Sequence, residues 1–104
     1  METDYQEQAR IFKAFCDEKR LRILELLRGG EKCACVLTEQ LDIGQSALSY
    51  HMKILVGSGV VQSRQEGKWT HYQISPDGSA HVAAILKALT TASAAPQETV
   101  CCNR

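Results

Sequence analysis

The sequence predicts a mainly α fold carrying one small β-hairpin, and three observations point there. Apolar residues recur at helical spacing in successive segments up to residue 56. Two short runs of β-branched and aromatic residues then flank Glu66-Gly67-Lys68, which reads as a hairpin turn. Beyond them, Ser75-Pro76-Asp77 restarts a helix with Val82, Ile85, Leu86 and Leu89 on one stripe.

Each element has a local signal. Residues 5–16 place Ala9, Phe12, Phe15 and Cys16 at helical spacing. Asp17 is suited to cap a second helix through Leu21, Ile23, Leu24, Leu26 and Leu27, which Gly29-Gly30 ends. Glu31-Lys32 is a loop before a third helix over residues 33–41, and Asp42-Ile43-Gly44 is a tight turn. A fourth helix runs over residues 45–56 and stops at Gly57-Ser58-Gly59. Residues 60–65 and 69–74 are the two strands. Two short helices joined by a tight turn and followed by a hairpin make a winged helix-turn-helix. Residues 1–92 are read as this domain and 93–104 as a flexible tail bearing two cysteines.

A chain of 104 residues is one domain, and its small core favours an oligomer that shares an apolar face. Apolar and charged fractions of 44% and 23% are ordinary for a soluble protein. No apolar run reaches the length of a membrane-spanning helix, about 18 residues. The acidic start, Met1-Glu2-Thr3-Asp4, lacks a signal-peptide layout, so a cytoplasmic location is expected.

The formal net charge of zero speaks weakly against nucleic-acid binding, so the distribution matters more. Residues 44–75 hold Lys53, Arg64 and Lys68 against Glu66 alone, whereas residues 1–43 are mildly acidic. In the fourth helix Leu48, Met52 and Leu55 share a face and should meet the core. The opposite face presents Gln45, Ser46, Ser49, Tyr50 and Lys53, suited to base edges near the helix start and phosphates farther along. Arg64 and Lys68 flank the hairpin tip, where a wing meets phosphate or the minor groove. His51 reads as a packed, hydrogen-bonded histidine, and Trp69 and Tyr72 as packing of wing against helix. The plainer reading of the polar face is a solvated surface.

Five cysteines are many for this length: Cys16, Cys33, Cys35, Cys101 and Cys102. Their odd number and the absence of an export signal argue against a disulfide framework and for a metal or redox site. Within an ideal helix, residues 33 and 35 point nearly opposite ways, so a shared ion requires a distorted helix start. Both are also small enough to be plain core residues, and Cys16, on an apolar helix position, is expected to pack in the core.

Four segments resemble the ArsR/SmtB metalloregulatory repressors. Asp17-Glu18-Lys19-Arg20-Leu21-Arg22-Ile23-Leu24-Glu25-Leu26-Leu27 is similar to that family's second helix. Gln45-Ser46-Ala47-Leu48-Ser49-Tyr50-His51-Met52-Lys53-Ile54-Leu55 is similar to its recognition helix. Gly59-Val60-Val61 and Glu66-Gly67-Lys68-Trp69-Thr70-His71-Tyr72 resemble its wing. Gly44 departs from the pattern, since a serine or threonine cap is more usual there. The resemblance spans roughly residues 8–90. It implies a homodimer through the first and last helices, and a repressor that leaves an imperfect palindrome of double-stranded DNA when metal binds.

Glu31-Lys32-Cys33-Ala34-Cys35-Val36-Leu37 resembles the metal-binding box of the family's arsenic, cadmium and lead sensors. The resemblance implies trivalent arsenic as inducer, as arsenite, methylarsenite or antimonite, on ligands drawn from Cys33, Cys35, Cys101 and Cys102. Thr38 stands where an arsenic-sensing third cysteine would be, so the local box is one thiol short for a soft ion that favours three. Two thiols suit a methylated arsenical, which has only two places for sulfur. Zinc-sensing members use paired aspartate and histidine on the last helix, and here only Asp77 and His81 stand there. The rival readings are a cadmium- or lead-responsive repressor, a thiol redox repressor and a winged-helix protein-interaction module. An arsenate-reducing enzyme is disfavoured, because the chain lacks a CxxC motif and a phosphate-cradling loop.

Overall fold

The computed structural model describes residues 4–93. In chain order the elements are α1 (Tyr5–Lys13), α2 (Glu18–Leu27), β1 (Lys32–Cys33), α3 (Ala34–Leu41), α4 (Gln45–Ser58), β2 (Val61–Glu66), β3 (Trp69–Ile74) and α5 (Pro76–Thr90). This is the expected winged helix-turn-helix, with α3 and α4 as the helix pair and β2–β3 as the wing.

Local chemistry explains most boundaries. Asp4 caps α1 through the Glu7 amide, and Asp17 caps α2 by accepting from the amides of Lys19 and Arg20. Ser75 caps α5 through the Gly78 amide, with Pro76 in its first turn. Asp42, at φ 56°, turns the chain out of α3. Gly59, at φ 89°, ends α4, a conformation that costs glycine no Cβ clash. A Cβ on Gly78 would meet the Gly59 carbonyl, so the start of α5 lies flush against that turn.

Three boundaries differ from expectation. The first helix stops at Lys13, and Cys16 lies beyond it, exposed, with Sγ 3.5 Å from the Phe12 carbonyl. The fourth helix continues through Gly57 to Ser58, whose hydroxyl donates to the Leu55 carbonyl and accepts from the Val60 amide. The β2–β3 wing is not alone in its sheet: β1 adds a third strand, giving the antiparallel order β1-β3-β2. Lys32 pairs with Tyr72 and Cys33 with His71. A two-residue strand has no periodicity to read, which is why the sequence reads there as a loop and a helix start.

The core gathers Ile23 and Leu27 of α2, Leu37 and Leu41 of α3, Leu48, Met52 and Leu55 of α4, and Val60 and Val61 leading into β2. Helix α4 thus turns the expected face inward. Arg10 of α1 donates to the Gly57 carbonyl and fixes α1 against the end of α4. Helix α5 contributes only Val82 to the buried residues, and Leu86 and Leu89 are about half exposed, at 53% and 49%. No helix among the described residues is long and apolar enough to cross a membrane.

Candidate nucleic-acid interface and thiol site

The outer face of α4 carries Gln45, Ser46, Ser49, Tyr50 and Lys53, all exposed. Its start is capped by Gly44 with no side-chain hydrogen bond, so the first amides are left for another acceptor. His51 points inward as expected. Its Nδ1 lies 3.0 Å from Arg20 Nη1, and Arg20 also donates to the carbonyls of Ala14 and Lys13. A guanidinium has only donors, so Nδ1 accepts and the ring proton sits on Nε2. Asp17 Oδ2 stands 3.8 Å from the same Nδ1. Desolvation opposes the Asp17 charge, but the Arg20 and Lys19 amides, with the Arg20 guanidinium nearby, outweigh it and hold the carboxyl below its ordinary range.

The wing divides its two cations. Lys68 is exposed in the turn, beside Gly67 at φ 62°. Arg64 is engaged instead: Nε and Nη2 each lie 2.9 Å from Glu31, and Nη1 lies 2.9 Å from Glu66. These hydrogen bonds hold Arg64 even more firmly protonated than usual and lower the Glu31 carboxyl. Glu31 carries no sequence signal for this role, because its partner is 33 positions away. Tyr72 is half buried against the core, whereas Trp69 is 52% exposed, contrary to its reading as a packing residue.

Cys33 and Cys35 converge. Their sulfurs lie 3.0 Å apart, with Cys35 donating to Cys33. No distorted helix is needed, because Cys33 is the extended residue before α3, at φ −73° and ψ 148°, held there by β1 pairing. The Cys35 thiol donating to Cys33 lowers the Cys33 thiol, helped by the Cys35 and Val36 amides. The same hydrogen bond raises Cys35, so the pair readily supplies one thiolate beside one thiol. Thr38 turns its hydroxyl to the Cys35 carbonyl at 2.9 Å. Among the described residues no three His, Cys, Asp or Glu side chains gather as a metal site. Cys101 and Cys102 lie outside the described residues. Beside Cys35, a recess of about 130 Å³ opens between α3, the start of α4 and the hairpin tip, lined by Thr38, Gln45, Lys68 and Trp69 among others.

Residues 17–63 match the model of the family described as bacterial regulatory protein, arsR family. An arsenical resistance operon repressor of Staphylococcus aureus is 38% identical over 99 residues, covering 95% of this chain and 92% of that protein. The chain belongs to the arsR family. An uncharacterized HTH-type transcriptional regulator of Methanocaldococcus jannaschii is 43% identical over 74 residues, covering 70% of this arsR-family chain and 83% of its relative. The solution structure of a homodimeric winged helix-turn-helix DNA-binding domain from Mycobacterium bovis, a possible ArsR-family regulator, superposes with a TM-score of 0.68 at 26% identity. That likeness covers 85% of this chain and 86% of the other.

As an arsR-family member the protein is a DNA-binding transcriptional repressor and not an enzyme. The recognition-helix residues stand together on one exposed face, and Lys68 is equally open at the wing tip. Of the cations chosen for DNA, Arg64 alone is bound by carboxylates.

Proposed function

We propose that this repressor releases its operator when Cys33 and Cys35 bind trivalent arsenic, as arsenite, methylarsenite or antimonite. The observation that carries the reading is the 3.0 Å approach of the two sulfurs, with Cys33 favoured as thiolate. Thiolate is the ligating form, and soft sulfur suits soft ions. Several relatives bear the name arsenical resistance operon repressor, which supports the same inducer class.

The protein acts as a homodimer on a two-fold, imperfectly palindromic operator, in the cytoplasm. Support comes from the exposed apolar residues of the terminal helices, Tyr5 at 67% exposed with Leu86 and Leu89, and from the homodimeric structural relative. Gln45, Ser46, Ser49 and Tyr50 read bases, and Lys53 and Lys68 take phosphates. Cys33 sits on the strand paired with the wing and Cys35 on the first helix of the helix pair. Holding both sulfurs on one ion therefore ties wing to helix. Release by roughly 150-fold requires the released form to bind arsenic about 3 kcal/mol more favourably.

The test is fluorescence anisotropy of labelled DNA from upstream of the protein's own gene, with reduced protein and added arsenite, cadmium or zinc. Loss of binding at low arsenite but not with zinc, abolished by Cys33→Ser with Cys35→Ser, supports the reading. Unaltered arsenite response in that double variant overturns it. The close thiol pair also favours a second reading, a redox repressor that peroxide releases through a Cys33–Cys35 disulfide.

A further inference from the structure

We propose that the recess beside Cys35 is a subsite for an aromatic ring carried on the arsenic, so that the thiol pair prefers a monoaryl arsenous acid to arsenite. The inference rests on Cys33 and Cys35 being the arsenic ligands.

Stoichiometry supplies the first argument. Two sulfurs meet, and no third Cys, His, Asp or Glu joins them among the described residues. Arsenite carries three exchangeable hydroxides and leaves one unreplaced on a dithiol. An organyl arsenous acid, R–As(OH)2, carries two. Both thiols lose their protons, two As–S bonds form, two As–O bonds break and two waters leave. Arsenic stays trivalent, so no oxidant or reductant is needed.

Shape supplies the second. The organic group must leave the arsenic close to Cys35, and Cys35 itself lines the recess. Its volume of about 130 Å³ has room for one ring, and because its wall is largely polar the ring would rest on Trp69 and Ala34. Trp69 borders it with a ring that is half exposed and has no aromatic partner among the described residues. Rings gain by offset or edge contact with such a neighbour. Thr38, Gln45 and Lys68 complete the wall and suit a ring bearing hydroxyl or other polar substituents.

The same placement gives a route to release. Gln45 and Lys68, both proposed to meet DNA, line the recess, so a ring seated there competes with DNA for them.

Trp69 is the chain's single tryptophan, so its emission reports the subsite directly. The full chain with Cys16, Cys101 and Cys102 replaced by serine is titrated with phenylarsonous acid, methylarsonous acid and arsenite. Calorimetry gives affinities and Trp69 emission gives placement. The phenyl compound is expected to bind roughly tenfold more tightly than the methyl one, the scale of one aromatic contact, and to change the emission. Trp69→Ala should bring that ratio near one while leaving methyl affinity within about twofold, and Trp69→Phe should restore the preference. An unchanged phenyl-to-methyl ratio in Trp69→Ala overturns the subsite alone. No binding of any arsenical by the triple-serine protein overturns the thiol-pair reading and the subsite with it.

Discussion

Arg20 of α2 and His51 of α4 meet at 3.0 Å in the buried interior, and this contact joins the recognition helix to the rest of the domain. Arg20 also satisfies two carbonyls at the end of α1. Arg20→Ala leaves three acceptors without their donor, a loss expected to be about 2–3 kcal/mol in urea unfolding. Nitrogen NMR of the neutral His51 ring should show Nδ1 unprotonated and the proton on Nε2. A proton on Nδ1 would contradict the hydrogen bond as assigned.

Asp17 ties acid stability to the same corner of the fold. Its carboxyl titrates lower folded than unfolded, so its stabilisation is complete above the unfolded value, about 3.9, and fades as pH falls through the lower folded one. The urea midpoint of the parent should exceed that of Asp17→Asn by a constant margin near pH 5–6. That margin should shrink below about pH 4. A margin that grows with acidity would mean that the Asp17 carboxyl titrates higher folded than unfolded.

Cys33 is half buried and Cys16 exposed, so accessibility alone favours alkylation of Cys16. The hydrogen bond from Cys35 predicts the opposite order, because the thiolate is the reacting form. Mass spectrometry after brief iodoacetamide treatment at pH 7 should find Cys33 modified before Cys16. Cys35→Ala removes the donor and should slow Cys33 several-fold. Equal rates in parent and variant would show that the pairing does not set reactivity.

Lys68 and Arg64 should separate in salt titrations of DNA binding. Each phosphate contact contributes about 0.9 to the slope of log affinity against log salt. Lys68→Ala should flatten the slope by about that much per subunit, about 1.8 for the homodimer. Arg64→Ala should flatten it less, since Glu31 and Glu66 already hold the guanidinium. Glu31→Gln loosens that hold and should steepen the slope. Equal losses from Lys68→Ala and Arg64→Ala would mean that DNA displaces both carboxylates.

The order of elements was legible because it is written in short-range chemistry. The Leu48/Met52/Leu55 face, the Asp17 cap and the Gly67 turn each depend on neighbours within a turn or two, and all stand where periodicity put them. The same holds for the exposed residues of α4, since a helix that buries one stripe must present the other. The inward His51 was legible from its place beside Met52, but its partner Arg20, 31 positions away, was not.

Tertiary structure decided the rest, through contacts between segments far apart in the chain. Pairing of Lys32 and Cys33 with β3 holds Cys33 extended, and only that conformation brings its sulfur to Cys35. Glu31 reaches Arg64 for the same reason, converting a wing cation into part of an ion cluster. Trp69 is half open because it borders the recess beside Cys35 instead of entering the core. By itself the sequence determined the winged helix-turn-helix fold and the exposed face of α4, because hydrophobic periodicity acts locally. The geometry of the thiols and of the wing's charges waited on strand pairing, which no local pattern records.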